Sequence, residues 1–80
     1  MNPYRLYGTS ACHLCELAEA LLQALRKQGE GVDYDKVDIA DSDTLFERYG
    51  LLIPVLQDSR GRELRWPFDI EELRGFIAAD

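Results

Sequence analysis

Apolar residues recur at three- and four-residue steps early in the chain and later give way to shorter apolar runs. The repeat consists of Leu14, Leu17, Ala18, Leu21, Leu22 and Leu25. Because polar residues fall between these positions, the pattern predicts an amphipathic helix with the stripe buried. Gly29 suits the left-handed position just past the end of that helix.

The shorter runs are rich in β-branched and aromatic residues and predict four strands. Their bounds are Tyr4–Tyr7, Val32–Ile39, Val55–Gln57 and Arg62–Trp66, and residues 58–61 form a turn between the last two. A second helix is predicted over Asp43–Tyr49, and Ser42, which directly precedes it, is its predicted N-cap residue. The signals for the last helix are an Asp69 cap, Glu72 three residues later, and Phe68 placed to pack on Leu73. Its inner face would consist of Ile70, Leu73, Phe76 and Ile77.

The element order is therefore β-α-β-α-β-β-α, which predicts the α/β class. The strand–helix–strand opening implies a parallel pair, and the closing hairpin must be antiparallel. We expect a four-stranded mixed sheet flanked by helices, in a single domain over residues 1–80.

Composition narrows the range of partners. Hydrophobic residues make up 46% of the chain, which argues against disorder, and the net charge of -6 disfavours nucleic acid and anionic membranes. The central apolar stretch Leu51–Leu56 is too short to span a bilayer. The first five residues lack the pattern of a secretory signal, so we expect a small cytoplasmic protein.

Both cysteines lie in one tetrapeptide, Cys12-His13-Leu14-Cys15. A disulfide across so short a loop stabilises the fold by at most about 2 kcal/mol. A chemical role therefore explains the cysteine pair better than stabilisation of the fold does. Cys12 falls where the first helix begins, and amide groups there can lower a thiol pKa from roughly 8.5 to about 3.5–7.5. Cys15 lies one turn further on. The hypothesis is that Cys12 is the nucleophile and Cys15 the resolving thiol.

Other interpretations of the pair stay open. A zinc site would need further ligands, and His13 is poorly placed to share a metal with both neighbouring thiols. The cysteines can also be two ordinary core residues. His13 is either an exposed polar residue or, when protonated, a cation that favours the Cys12 thiolate.

Together with Ile53-Pro54 ahead of the third strand, the C-x-x-C motif and the element order resemble a glutaredoxin, a minimal thioredoxin-fold protein. The stretch from Asp38 to Leu56 is similar to small bacterial glutaredoxin-like proteins, which carry R-Y-G and then P-V-L. The resemblance implies that Pro54 follows a cis peptide bond facing the thiols. It also implies that the Ile53 backbone pairs with an extended substrate segment.

The chain departs from the glutathione-using members of that family. They carry Pro-Tyr between the cysteines where this chain has His13-Leu14, and a lysine before the first cysteine where it has residues 9–11. They also have a Gly-Gly pair where this chain has Trp66-Pro67-Phe68, which would narrow the groove or present an apolar patch to a protein. Only the acidic Asp69 is kept, as a helix cap or as a contact to glutathione.

The leading hypothesis is a thiol–disulfide oxidoreductase acting on a protein or small-molecule disulfide, with an external thiol reductant. No tightly bound cofactor is expected, because no glycine-rich phosphate loop appears, and glutathione is a possible co-substrate. We place Cys12, Cys15, His13, Ile53, Pro54 and Asp69 at the site and expect a monomer. Tyr7 and Glu16 should lie nearby. The alternatives are a thiol-switched binding module and an iron–sulfur carrier.

Overall fold

The computed structural model, which describes residues 4–80, contains four strands and one sheet. The strands are β1 (Tyr4–Gly8), β2 (Tyr34–Asp38), β3 (Val55–Gln57) and β4 (Glu63–Arg65). Their order in the sheet is β2-β1-β3-β4. β1 pairs in parallel with β2 and antiparallel with β3, and β3 pairs antiparallel with β4. The predicted mixed sheet is confirmed.

Three α-helices complete the predicted order: α1 (His13–Lys27), α2 (Asp43–Tyr49) and α3 (Ile70–Ala78). The capping signals read from the sequence are all present. Ser42 Oγ accepts the Leu45 N–H at 3.3 Å, and Asp69 and Glu72 form a reciprocal capping box. Gly29 takes a φ of 77° just beyond α1. Among residues 4–80, none of these helices has the length and apolar character needed to cross a bilayer.

Two predicted strands are too long. β2 begins at Tyr34 rather than Val32, and it ends at Asp38 because Ile39 starts a short 3₁₀ turn that runs to Asp41. The Asp38 side chain caps this turn by accepting the Ala40 N–H at 2.9 Å. This local bond to a side chain competes with continued pairing of the strand.

The return strand covers Glu63–Arg65 rather than Arg62–Trp66. The Arg62 N–H donates to Asp58 Oδ1 at 2.9 Å and is held in the turn, whereas the Arg62 carbonyl oxygen accepts the Asp58 N–H at 2.9 Å. Side-chain acceptors therefore mark the C-terminal end of β2 and the N-terminal end of β4.

Within the described residues 4–80, the core consists of two clusters, one on each face of the sheet. One packs β1 and β3 against α1 and α3, and the other packs them against α2. Neighbouring residues of β1 divide between the clusters, because strand side chains alternate: Leu6 joins the first and Tyr7 the second.

The predicted buried stripe of α1 is partly wrong. The buried positions are Cys15, Ala18, Leu22 and Leu25. Leu14 and Leu17 remain 44% and 41% exposed. Leu17 lies about 100° around the helix from Ala18, beyond the arc that the sheet covers. Leu14 lies in the first turn, beside the cysteines.

Asp58 anchors the β3–β4 turn from an almost completely buried position. Its carboxylate accepts the backbone N–H groups of Arg60 and Arg62, each at 2.9 Å, and the Arg62 Nε–H at 2.7 Å. Burial alone would raise the pKa of Asp58 and is the largest single influence. The bonds from Arg62 and Arg60 together outweigh burial and hold the pKa below its ordinary value of 3.8.

We expect Asp58 to stabilise the fold at neutral pH and to lose this contribution in acid. A carboxyl whose pKa is lowered by folding stabilises the protein above its unfolded pKa of 3.8, and this stability disappears as the pH falls through the folded value. In urea unfolding, the free energy of unfolding of Asp58→Asn should therefore fall furthest below that of wild type at pH 7, and the difference should shrink progressively below pH 4. Asp33→Asn, at an exposed ion pair, should differ little at either pH. If the difference in unfolding free energy between Asp58→Asn and wild type stayed constant with pH, the stabilising role of the Asp58 carboxylate would be contradicted.

Candidate active site at the Cys12–Cys15 disulfide

The loop that follows β1 places Cys12 at the start of α1. Ala11 takes a φ of 59°, in the left-handed region, and Cys12 returns to an extended conformation as the N-cap residue. The Cys12 Sγ accepts the Cys15 N–H at 3.1 Å. The Cys12 sulfur therefore lies against the amide groups at the helix start, whose partial positive charge favours an anion.

Cys12 and Cys15 are joined by a disulfide, with 5.2 Å between their Cα atoms. Cys12 is half-buried, whereas Cys15 is only 8% exposed on the inner face of α1. The two cysteines consequently differ in their exposure to solvent, and Cys12 is the more exposed of the two.

Gly8 packs directly behind the buried sulfur, a contact that sequence reasoning missed. A Cβ atom at Gly8 would lie 2.9 Å from Cys15 Sγ. The sequence suggested only that Gly8 closes the first strand. The available signal was a glycine at the end of the strand that leads into the C-x-x-C motif, since such a glycine often marks a close approach.

Ile53 and Pro54 lie on the other side of this strand end. Their peptide bond is cis. Tyr7 pairs with Val55 in the antiparallel register, so one step further places Pro54 opposite Gly8. The Ile53 N–H already donates to the Tyr49 carbonyl oxygen at 3.1 Å.

A cavity of about 330 Å³ opens beside the disulfide, between α1 and the β1–β2 pair. It is lined by Leu6, Gly8, Thr9, Ser10, Ala11, Cys12, Cys15, Glu16, Glu19, Lys36, Val37 and Asp38. None of these residues comes from β3, so the cavity and Pro54 flank the cysteines on different sides.

His13 and Asp69 do not line this cavity. The His13 side chain is 80% exposed, with Nδ1 at 3.9 Å from Glu16 Oε2, so its effect on Cys12 stays a prediction. Asp69 accepts the Glu72 N–H at 2.8 Å and its own N–H donates to Glu72 Oε1 at 3.4 Å. The structure accounts for Asp69 as a helix cap.

Within the Trp66-Pro67-Phe68 segment, Phe68 packs inward and Pro67 is exposed. Phe68 is 5% exposed in the core, and the half-buried Trp66 ring meets it edge-on at 5.0 Å between centroids. Phe68 is therefore not part of an exposed apolar patch, because it fills the space against Leu73. The Trp66–Pro67 peptide bond is also cis, which the sequence did not indicate.

Tyr7 stacks on Tyr49 across the opposite face of the sheet, with 4.4 Å between ring centroids. Its hydroxyl donates to Gln57 Oε1 at 3.0 Å. Burial, together with a hydrogen bond donated to Glu63, raises the pKa of Tyr49 to about 12. Tyr49 is therefore a neutral donor at physiological pH and supports the strand that carries Gly8.

A family model for the glutaredoxin-like domain (DUF836) matches residues 5–78. The chain belongs to this glutaredoxin-like family. It is similar to the X-ray structure of target protein XcR50 from X. campestris, with 40% identity, a TM-score of 0.87, and coverage of 96% of this chain and 97% of that one. The family membership and the thioredoxin-like fold expected from the sequence are thus confirmed.

Two solution structures support the same assignment for this glutaredoxin-like chain. That of XcR50 shares 40% identity at a TM-score of 0.85, covering 100% of this chain and 96% of that one. Protein Ne2328 from Nitrosomonas europaea shares 26% identity at a TM-score of 0.77, with coverage of 94% and 89%. A comparison with curated proteins gives no match.

A metal site was one alternative reading of the cysteine pair. Within residues 4–80, no three histidine, cysteine, aspartate or glutamate side chains are grouped so that they could hold a metal ion. Zinc in proteins almost always takes at least three such ligands, and the cysteine pair supplies two. The C-x-x-C spacing of the pair fits a thioredoxin-type redox role.

Proposed function

We propose that this glutaredoxin-like protein is a thiol–disulfide oxidoreductase in which Cys12 attacks a substrate disulfide and Cys15 resolves the product. The observation that carries the proposal is the cysteine pair itself. One sulfur is accessible at a helix N-terminus, and it is bonded to a second, buried sulfur one turn further along. This arrangement favours a thiolate at Cys12 and keeps Cys15 within reach of it.

The reaction balances without a bound cofactor. The Cys12 thiolate attacks one sulfur of the substrate disulfide, which breaks that bond, releases one substrate thiolate and forms a mixed disulfide. The Cys15 thiolate then attacks Cys12 Sγ and releases the second substrate thiolate. Two electrons pass to the substrate, and the protein is left with the Cys12–Cys15 disulfide. An external thiol reductant, with glutathione as a possible co-substrate, returns the electrons.

We further propose that Ile53 and Pro54 line the substrate groove on the β3 side. The register that places Pro54 opposite Gly8 supports this assignment. Because the Ile53 N–H is already bonded to Tyr49, an extended substrate would pair through the carbonyl oxygen of Ile53. Substrate contacts of His13 and Asp69 stay predictions.

Turnover of a disulfide substrate tests the proposal. With insulin or bis(2-hydroxyethyl) disulfide and an excess of reductant, the protein should turn over steadily, well above a Cys12→Ser control. Serine is a good N-cap residue, so this control keeps the helix start, which circular dichroism checks. Activity equal to that of Cys12→Ser would contradict the proposal.

That outcome would favour a second candidate, a binding module whose disulfide switches a partner interaction. The exposed Leu14 and Leu17, on the helix that carries the disulfide, support this candidate. Its distinguishing result is partner binding that changes with the redox state of the pair while no substrate is turned over.

A further inference from the structure

The cavity beside the disulfide carries more negative than positive side chains. Among residues 4–80, Glu16, Glu19 and Asp38 supply three carboxylates and Lys36 supplies one ammonium to its lining, which gives a formal charge of −2. Lys36 and Asp38 stand at alternate positions of β2 and so lie on the same face of the sheet. The loop residues 9–11, which also line the cavity, add no cation.

The single ammonium is already neutralised. Lys36 Nζ lies 3.1 Å from Glu19 Oε1, and the Tyr34 hydroxyl donates to Glu19 Oε2 at 3.0 Å. Glu16 and Asp38 remain without compensation from Lys36. The Glu16 side chain is 73% exposed beside His13, and Asp38 accepts the Ala40 N–H at 2.9 Å, which leaves its charge in place.

We infer that this acidic cavity selects disulfides that carry positive charge close to their sulfurs and disfavours anionic ones such as oxidised glutathione. The inference rests on the proposed function, because the disulfide marks the reacting atoms and the cavity touches both cysteines. A charge of −2 at several ångströms from the reacting sulfurs attracts one sign of substrate and repels the other. At low salt, this corresponds to about a tenfold rate difference between cationic and anionic substrates.

Three small symmetric disulfides of matched size serve as probes: cystamine, bis(2-hydroxyethyl) disulfide and bis(2-carboxyethyl) disulfide. Pre-reduced protein is mixed with each, quenched with an alkylating agent, and its oxidation is followed by mass spectrometry. Each oxidation rate is divided by the rate at which dithiothreitol reacts with the same disulfide, which corrects for differences in intrinsic reactivity among the three disulfides. The ratio of the normalised rate with cystamine to that with bis(2-carboxyethyl) disulfide is the normalised cation-to-anion ratio. It should be about ten at low salt and fall below about two in 1 M salt, where the Debye length is about 3 Å.

Charge variants of the cavity should move this ratio in both directions. Glu16→Gln and Asp38→Asn should each lower it about threefold, and the asparagine oxygen still accepts the Ala40 N–H. Lys36→Gln should raise it by a similar factor, because the Glu19 carboxylate then loses its counter-charge. Glu47→Gln, an equal charge loss at an exposed position of α2 outside the cavity lining, is the matched control and should leave it unchanged.

Two results would overturn the charge selection alone. One is a normalised ratio of one in the wild-type protein. The other is an equal effect of Glu47→Gln and Glu16→Gln, which would assign the preference to the overall charge of -6 rather than to the cavity. In both cases disulfide exchange proceeds and the proposed function stands. If no probe oxidises the protein faster than it oxidises Cys12→Ser, the proposed function fails and this inference fails with it.

Discussion

Cys15→Ser should accumulate a stoichiometric mixed disulfide with substrate, whereas Cys12→Ser should form one about a hundredfold more slowly at pH 6. Cys12 is the accessible sulfur, and the amide groups of the first turn of α1 favour its thiolate. Cys15 is buried against Gly8, so an incoming disulfide reaches it poorly. Without Cys15, nothing within the protein attacks the Cys12 mixed disulfide, and the adduct persists.

The measurement is a single turnover of each reduced variant with an excess of a disulfide that releases a coloured thiol. Mass spectrometry then counts the adducts. Unfolding midpoints of both variants show whether the fold is retained, so that a slow Cys12→Ser variant is not mistaken for an unfolded one. Equal rates of adduct formation in the two variants would exclude Cys12 as the preferred nucleophile.

Local sequence signals predicted most of the fold. Ser42 and the Asp69–Glu72 box each stabilise a helix start through atoms only three residues apart, so the pattern is complete within a few positions. The placement of Cys12 and Cys15 was predictable for the same reason. A C-x-x-C motif at a helix start brings both sulfurs together whatever the rest of the chain does.

The sequence did not reveal features that depend on which elements meet in space. Leu14 and Leu17 continue the apolar periodicity of α1, yet the sheet covers a narrower arc, and they stay exposed. The sequence did not reveal the C-terminal end of β2 or the N-terminal end of β4, because Asp38 and Asp58 bind nearby backbone amides there in competition with the ladder.

The acidic cavity is likewise a product of topology. Glu16 and Glu19 are separated from Lys36 and Asp38 by about twenty residues and are joined only because β2 pairs in parallel with β1. No local spacing marks such a cluster. The chemistry of the cysteines was therefore readable from the sequence, whereas the charge of the wall beside them required the fold.

The same reasoning yields the second large effect, expected for Gly8→Ala. The added Cβ would lie 2.9 Å from Cys15 Sγ, closer than unstrained atoms approach. Gly8 is held by its pairing with Asp38, and Cys15 is fixed on the inner face of α1, so neither moves away freely. Overpacking of this kind costs about 1–3 kcal/mol of unfolding free energy.

The cost should be greater in the oxidised protein, because the disulfide holds Sγ in place while a free Cys15 thiol can rotate away. Gly8→Ala should therefore favour the dithiol and make the reduction potential more positive by up to about 60 mV, the equivalent of about 3 kcal/mol for two electrons if the oxidised form bears the whole cost. Urea unfolding of both redox forms, together with equilibration against dithiothreitol, measures the two effects.

Gly75→Ala is the matched control, since a Cβ at Gly75 on α3 meets nothing within 4 Å. It should stabilise the helix by up to about 1 kcal/mol and leave the potential unchanged. An unchanged potential in Gly8→Ala as well would mean that Gly8 does not hold the Cys15 sulfur in place.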